Sequence, residues 1–261
     1  MQVLIEALLL FGLMATVFTK NSIVGPGSRA STPGDHPYFA SLVTVSTNQK
    51  FCGASIIGSR WILTAAHCLM PDGKLFQKGQ FEVMVGHHSK RQDWYAVKRI
   101  KLRTKYNDLN AGNDVAILET DRNITFKENV QPICVAGFDI EAGEPALTMG
   151  FGYTRIDSHS KRMLEIDGTI LDAEKCGITH GFNNREGLCF LANGGSPCSG
   201  DSGGPIVDKY GIFQHGLHHG VYPGCKIGPP SFGHRVSSMD TCLFIALTTR
   251  GEVECRKEYE C

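Results

Sequence analysis

The 261-residue sequence lacks the charge pattern of proteins that bind nucleic acids or anionic membranes. It has 26 basic and 26 acidic residues, so its formal net charge is zero, and no five basic residues occur in succession. Proteins that bind polyanions usually carry an excess of Lys and Arg. Internal repeats and low-complexity tracts are also absent, which excludes a repeat array. We therefore expect a globular protein whose principal partner is neither nucleic acid nor an anionic membrane.

The sequence also lacks the cysteine spacing of a metal site. It contains ten cysteines but no CxxC pair and no ordered Cys/His ligand pattern. An even number of cysteines without metal spacing favours disulfides, which form and persist in oxidising compartments. The cysteines therefore predict an extracellular protein.

No apolar run is long enough to cross a bilayer as a helix. The longest, 7–18, contains only apolar residues, Gly and Thr, and suits the hydrophobic region of a signal peptide. We predict a signal peptide over 1–19, a short propeptide over 20–22, secretion without a membrane anchor, and glycosylation of Asn123 in its Asn-Ile-Thr sequon. Glu6 abuts the apolar run and no positive charge precedes it, so a buried core helix is the alternative.

Short strands dominate the pattern beyond residue 22, separated by Gly, Pro and Asn. Segment 81–85 alternates apolar and polar residues, as a half-buried strand does, and 115–118 and 205–207 are short apolar runs that fit buried strands. Many short strands of this kind predict a β-barrel or β-sandwich.

One helix is expected near the end of the chain. Ser237 or Ser238 would cap it and Gly251 lies beyond its end. Its predicted buried face is formed by apolar residues spaced three and four apart, namely Val236, Met239, Leu243 and Leu247.

Three segments contain residues suited to nucleophilic catalysis: His67 beside a cysteine, Asp114 at the head of an apolar strand, and Ser202 among glycines. A serine hydroxyl is a weak nucleophile and needs a base within hydrogen-bond reach. That base needs a buried carboxylate to orient it, and the developing oxyanion needs closely approaching backbone N–H groups. Each segment alone is commonplace, but their joint occurrence in the order His, Asp, Ser is specific.

These segments resemble the trypsin/chymotrypsin family of serine peptidases. The matching motifs are Ile-Val-Gly at 23–25, Trp-Ile-Leu-Thr-Ala-Ala-His-Cys at 61–68, Asn-Asp at 113–114 and Gly-Asp-Ser-Gly-Gly-Pro at 200–205. The resemblance covers about 23–248 and implies an all-β fold of two antiparallel β-barrels with a C-terminal helix. It assigns 23–248 to the peptidase domain and leaves 249–261 as a cysteine-containing tail.

The resemblance also implies the role of each site residue. His67 acts as base and then acid, Asp114 orients it, Ser202 is the nucleophile, and the N–H groups of Gly200 and Ser202 form the oxyanion hole. The implied partners are protein or peptide substrates and protein inhibitors of a monomeric enzyme, with no cofactor. The segment after Gly86 lacks the carboxylates with which some relatives hold calcium, so we expect no metal.

The same resemblance pairs six of the cysteines, as Cys52–Cys68, Cys176–Cys189 and Cys198–Cys225. The remaining four can pair in three ways, and are Cys134, Cys242, Cys255 and Cys261. We favour a bridge from Cys134 into the C-terminal region.

The substrate pocket departs from the trypsin pattern. Ser196 stands six residues before the nucleophile, where trypsin-like enzymes carry an Asp that pairs with Arg or Lys. In an ungapped alignment Val221 and Ser231 replace usual glycines of the pocket wall, and His219 and Gly220 replace a usual Ser-Trp pair. This predicts a preference for small or medium apolar side chains. A shift of one residue would return Gly220 to the wall and admit larger aromatic ones.

The activation site departs from the family too. By resemblance, cleavage before Ile23 frees an ammonium group that pairs with Asp201 and orders the oxyanion hole. Ser22 precedes Ile23, and Lys20 lies too early for a trypsin-like cut to free Ile23. A protease of other specificity could cut after Ser22, or a second peptidase could trim the remaining residues. If Ile23 is never freed, the chain would be a non-catalytic secreted binding or regulatory protein on the same fold.

Overall fold

The computed structural model describes residues 23–261 except 88, 90, 104–105, 107–112, 154–158, 177–185 and 222. The predicted signal peptide and propeptide therefore lie outside the described residues. Short strands make up most of the regular structure, as the sequence pattern predicts.

The first seven strands lie in the N-terminal half of the chain. They are β1 (Arg29–Ala30), β2 (Phe39–Thr44), β3 (Lys50–Ile56), β4 (Trp61–Thr64), β5 (Phe81–Val85), β6 (Asp93–Leu102) and β7 (Ala116–Thr120). Strands β2 to β7 form a closed antiparallel barrel in the order β2-β3-β4-β7-β6-β5. Its centre is filled by apolar side chains that alternate along the strands, including Leu42, Ile62 and Phe81.

The second barrel follows in the C-terminal half. Its six strands and the short flanking strand β8 are β8 (Cys134–Val135), β9 (Pro145–Gly150), β10 (Leu164–Leu171), β11 (Gly187–Ala192), β12 (Pro205–Asp208), β13 (Phe213–Gly220) and β14 (Ser231–Arg235). The order is β10-β11-β14-β13-β12-β9, and pairing of β9 with β10 closes it. Strand β1 adds to β10, and β8 pairs with β13 in parallel.

The described residues also include three short 3₁₀ turns and one α-helix. The turns span His67–Leu69, Pro71–Gly73 and Ala173–Cys176. A separate apolar cluster, which includes Phe39, Leu63 and Met149, draws residues from both barrels. The barrels therefore pack directly on one another, and the predicted all-β architecture with a C-terminal helix is confirmed.

Helix α1 (Met239–Thr249) forms where the sequence predicts it, but its predicted buried face is wrong. Ser238 is the N-cap, and its Oγ accepts the N–H of Thr241 at 3.3 Å. Val236, before the helix, is buried, whereas the exposed fractions of the other three predicted residues are large: 85% for Met239, 55% for Leu243 and 70% for Leu247.

The buried face of α1 is formed instead by Thr241, Ile245 and Thr249. Two threonines can be buried there because their hydroxyls are satisfied. Thr241 Oγ1 accepts from Arg103 Nη1 at 3.1 Å, and Thr249 Oγ1 donates to the carbonyl of Ile245 at 2.9 Å. Burial of a polar group costs little when it is hydrogen-bonded, so hydrophobicity alone selected the wrong face.

The tail after α1 returns to the first barrel. Trp61 of β4 donates its Nε1–H to Glu252 Oε2 at 2.9 Å, and Val253 is buried in the apolar cluster between the barrels. Farther along, Arg256 forms a bridge with Ala136, next to β8. The tail is thus packed against both halves of the molecule.

All ten cysteines lie in disulfides, which is consistent with the prediction of a disulfide-rich protein. The pairs are Cys52–Cys68, Cys176–Cys189, Cys198–Cys225, Cys134–Cys261 and Cys242–Cys255. The first three are those that the resemblance implied, and the fourth joins β8 to the tail.

Two further surface features bear on the sequence predictions. None of the helices in the described part of the chain has the length and hydropathy needed to cross a bilayer. Asn123 is exposed, and its Oδ1 accepts from Arg60 Nε at 3.0 Å and Nη2 at 2.6 Å. Its glycosylation stays a prediction.

Candidate active site

His67 lies just beyond the end of β4, at the start of a 3₁₀ turn. Two anchors hold this segment. Thr64 donates its hydroxyl to the carbonyl of Gly53 at 2.9 Å, and the neighbouring Cys68 is bonded to Cys52 of β3. Ala65 is fully buried. The histidine therefore projects from a backbone that is tied to two strands of the first barrel.

Asp114 immediately precedes the apolar strand β7 and is fully buried. Asn113 before it adopts a left-handed conformation (φ 61°), which a short polar side chain tolerates. The backbone N–H of His67 donates to Asp114 Oδ1 at 2.8 Å, and the ring Nδ1 lies 2.8 Å from Oδ2. Burial by itself would raise the pKa of Asp114, but the charge of His67 and hydrogen bonds from His219 and His67 hold that pKa below its ordinary value. The carboxylate is consequently ionised.

A second histidine contacts the same carboxylate. His219 of β13 hydrogen-bonds through Nδ1 to Asp114 Oδ2, the oxygen that also contacts His67. The two rings lie 5.1 Å apart, centroid to centroid, at an interplanar angle of 77°. The sequence singled out His219 only as a replacement on the substrate strand. Its contact with Asp114 depends on strand register, which no local pattern contains.

Ser202 lies in a tight loop between the two barrels. The carbonyl of Ser202 accepts the N–H of Gly53 at 2.8 Å, and the N–H of Gly203 donates to the carbonyl of His218 at 2.7 Å. Gly203 has a positive φ of 74°, and a Cβ there would lie 2.3 Å from Thr64 Oγ1. Only glycine permits this close approach of the loop to the histidine segment.

Gly200 adopts a φ of 95°, which also favours glycine. Next to it, the buried Asp201 carboxyl accepts the N–H of Gly152 at 2.7 Å and that of Cys198 at 2.9 Å. Burial raises the pKa of Asp201 to about 6, although these two hydrogen bonds lower it. The loop that carries Gly200 and Ser202 is therefore ordered around a buried carboxyl group.

Ile23, the proposed activation residue, is fully buried in the apolar cluster of the second barrel. Val24 pairs with Ser196, each N–H donating to the other's carbonyl at 2.8 Å. Among the described residues no ion pair joins Ile23 to Asp201, since the nitrogen of Ile23 is part of a peptide bond with Ser22.

A cavity of about 310 Å³ opens beside Ser202. Its lining includes two of the three predicted triad residues, part of strand β13 and the residue that follows it, namely His67, Ser202, His218, His219, Gly220 and Val221. Ser196 and Ser231, also predicted to bind substrate, are not part of this lining. Both are buried, and their hydroxyls donate to the carbonyls of Pro197 (2.9 Å) and Phe190 (3.2 Å).

The structure thus brings His67, Asp114 and Ser202 together where the barrels meet. His67 and Ser202 share the cavity, and Asp114 lies behind His67. The outer ring nitrogen of His67, Nε2, lies 3.8 Å from the sulfur of Cys68. This arrangement can activate Ser202 as a nucleophile when Ser202 and His67 form a hydrogen bond. Catalytic hydrogen bonds of this kind are often long before substrate binds.

Comparison with known proteins gives one family and several relatives. The family model described as Trypsin matches residues 26–242. Chymotrypsin-2 of Vespa crabro is 30% identical over 220 residues, covering 81% of this chain and 94% of that protein. Brachyurin of Leptuca pugilator is 28% identical over 220 residues, covering 81% and 93%. Mannan-binding lectin serine protease 1 of Homo sapiens is 28% identical over 252 residues, covering 79% of this chain but 35% of that longer protein.

Proposed function

Because the chain belongs to the trypsin family of serine peptidases, we propose that it hydrolyses peptide bonds through a triad of His67, Asp114 and Ser202. The observation that carries the proposal is the two-point contact between Asp114 and His67 behind the cavity that His67 shares with Ser202. A buried ionised carboxylate in this position keeps the Nδ1–H tautomer, in which Nε2 is the basic nitrogen of the ring.

The reaction proceeds in two acyl-transfer steps. Ser202 Oγ attacks the substrate carbonyl while His67 Nε2 takes its proton, and the oxyanion accepts N–H bonds from Gly200 and Ser202. The protonated His67 then gives its proton to the leaving amine, and an acyl-enzyme remains on Ser202. Water repeats the sequence: its proton goes to His67, and its oxygen becomes part of the released carboxylate. Asp114 stabilises the imidazolium and stays ionised throughout.

The side chain that precedes the scissile bond is small or medium-sized and apolar. Val221 lines the cavity. Ser196 and Ser231 are uncharged, and their hydroxyls donate to backbone carbonyls. An Arg or Lys entering here would meet no carboxylate at position 196, and a cation that loses its hydration without an ionic partner is unfavourable. The preference among apolar side chains is graded, because one methylene is worth only about 1–3 kcal/mol in such a pocket.

The enzyme is secreted and becomes active when Ile23 is freed. The fully disulfide-bonded cysteines support an oxidising compartment. The buried Asp201, at the loop that carries Gly200 and Ser202, supports activation by pairing with a new ammonium group. The non-catalytic alternative is less favoured, because such proteins typically lack a triad residue and all three are present here.

Covalent labelling tests the proposal directly. A fluorophosphonate probe should modify Ser202 in protein that begins at Ile23, and mass spectrometry of the digest should place the adduct on the peptide containing residue 202. Ser199→Ala, which removes another hydroxyl lining the same cavity, serves as the matched control and should still be labelled. A fully folded protein with a free Ile23 that resists the probe would contradict the triad.

A further inference from the structure

We propose that His67, His219 and Asp114 form an inhibitory binding site for a divalent transition-metal ion of the zinc class. One ligand atom from each of these residues lies within 4.8 Å of the other two. Binding at this site is independent of the proposed peptidase activity, and only its inhibitory effect rests on the proposed function.

The geometry arises from the convergence of two imidazoles on one carboxylate oxygen. Both Nδ1 atoms are directed at Asp114 Oδ2, and the Nδ1–Oδ2 separation is 2.8 Å for His67. Zinc prefers N and O ligands at about 2.0–2.2 Å, which in a tetrahedron lie roughly 3.4 Å apart. The imidazole of His67 would therefore withdraw from Asp114 by roughly half an ångström to admit the ion, and that of His219, which lies closer to the carboxylate, by roughly one ångström. This is a small movement for the two side chains that line the open cavity.

The ligand chemistry also suits zinc. Two histidines and one carboxylate, with a fourth position left for water, make up one of the known zinc ligand sets in enzymes. His67 and His219 line the cavity of about 310 Å³, so the ion can enter past the imidazoles and retain a water molecule on that side. Asp114 is fully buried and supplies its oxygen from below.

The protonation states permit binding. Asp114 Oδ2 already contacts the Nδ1 atom of each imidazole, so this carboxylate oxygen is placed to act as the anionic ligand. An imidazole that binds the ion through Nδ1 carries its proton on Nε2, so a neutral ring can bind the ion without any net release of a proton. The single negative charge of Asp114 offsets half of the charge of the ion.

A second group of metal-binding residue types at the same place is ruled out. Cys52 and Cys68 lie near His67, but they are bonded to each other and so offer no thiolate. Among the described residues, His219 is therefore the group that completes a three-ligand set with His67 and Asp114. A serine in place of His219 would leave only two of the three ligands.

Metal binding would stop catalysis at the base. With Nδ1 on the ion and a proton on Nε2, His67 can no longer accept the proton of Ser202. The carboxylate that would stabilise an imidazolium is occupied as well. The ion thus inhibits without contacting the nucleophile.

The first experiment measures binding without activity. The protein carrying Ser202→Ala is titrated with Zn²⁺ in a calorimeter and with Co²⁺ by visible absorption. Two further variants, His219→Ser and His219→Gln, are made in that background; glutamine retains an N–H donor for Asp114 but is a poor zinc ligand. We expect one site per chain to lose at least tenfold in affinity in both variants, with thermal unfolding unchanged for His219→Gln. Equal affinity in all three proteins, or no Zn²⁺ binding, would overturn the site.

The second experiment measures inhibition. Peptidase activity of the mature enzyme is followed against Zn²⁺ concentration, and each variant is normalised to its own rate in chelator. Wild-type enzyme should lose activity and recover it on chelation, whereas His219→Gln should need at least tenfold more Zn²⁺. Inhibition that is the same in both enzymes contradicts the proposal. If the mature enzyme has no peptidase activity, the proposed function fails, while the calorimetric result still decides the metal site.

Discussion

Asp114 contacts His67 at two points: Oδ1 accepts the backbone N–H and Oδ2 contacts the ring Nδ1, each at 2.8 Å. Because one carboxylate contacts both the ring and the backbone of His67, it fixes the orientation of that side chain and its Nδ1–H tautomer together. The consequence is that the outer nitrogen is an acceptor before any substrate arrives.

Substitution of the triad should abolish turnover. Ser202→Ala or His67→Ala should each lower kcat by about 10⁶, because the three residues act as a unit. Asp114→Asn should lower it by about 10⁴ through the wrong imidazole tautomer. Steady-state hydrolysis of a peptide ester checks this, and the Ser237→Ala variant, changed at a half-buried residue just before α1, serves as a control that keeps its rate. Undiminished hydrolysis by a folded Ser202→Ala protein would refute the mechanism.

The pocket should select small or medium apolar side chains. Cleavage of a diverse peptide library by the mature enzyme should concentrate after such residues and avoid Arg and Lys, since no carboxylate faces the pocket from position 196. Val221→Gly should extend the range to aromatic side chains by enlarging the wall. Cleavage that is concentrated after Arg or Lys would contradict the preference. An unchanged cleavage profile for Val221→Gly would show that Val221 is not part of the pocket wall.

Active secreted enzyme should begin at Ile23. The ordinary pKa of an α-ammonium is about 7.7–8.0, and pairing with Asp201 should raise it. The stabilisation from this pair is therefore present at neutral pH and is lost as pH rises through the raised value, so activity should fall on the alkaline side. N-terminal sequencing and a pH profile check the two parts. Fully active enzyme with another first residue would exclude the Ile23–Asp201 pair.

Uncleaved protein should lose stability as pH rises through about 6. Burial raises the pKa of Asp201 from 3.8 to about 6, so the folded chain binds a proton more strongly than the unfolded chain does. The associated stabilisation of roughly 3 kcal/mol is complete below the unfolded pKa. It declines as pH rises toward the folded pKa and is absent above it. Urea unfolding of Ser202→Ala protein at several pH values measures it. The comparison is with the same protein carrying Asp201→Asn, and an identical pH dependence in the two would show that Asp201 is not responsible.

The two faces of α1 should respond differently to truncation. Ile245→Ala should lower the free energy of unfolding by about 2–5 kcal/mol, because Ile245 is fully buried. Leu243→Ala should change it by no more than about 0.5 kcal/mol, because Leu243 is 55% exposed. Urea denaturation of both variants tests the corrected face. An equal loss of unfolding free energy in both variants would indicate that the apolar face predicted from the sequence is also packed.

The fold could be predicted from the sequence because motifs of the kind around His67 and Ser202 reflect local requirements of the backbone, whereas the roles of these residues stay a proposal. Gly203, for example, is required by the close approach of Thr64. The face of α1 could not be predicted in this way, since Thr241 and Thr249 are buried through hydrogen bonds that form only in the folded chain. His219 was noticed only as a replacement, because its meeting with Asp114 depends on how the two barrels pack.

The tail from Gly251 to Cys261 links the two barrels. It leaves a helix of the C-terminal half, hydrogen-bonds to Trp61 of the first barrel through Glu252, and is bonded to β8 through Cys261. Neither barrel can separate from the other without releasing this segment. The two halves should therefore unfold in one calorimetric transition. The width of the cleft between them should fluctuate less than it would if the two barrels were joined by a flexible linker alone. Rigidity of the cleft is thus supplied by a segment none of whose residues lines the cavity beside Ser202.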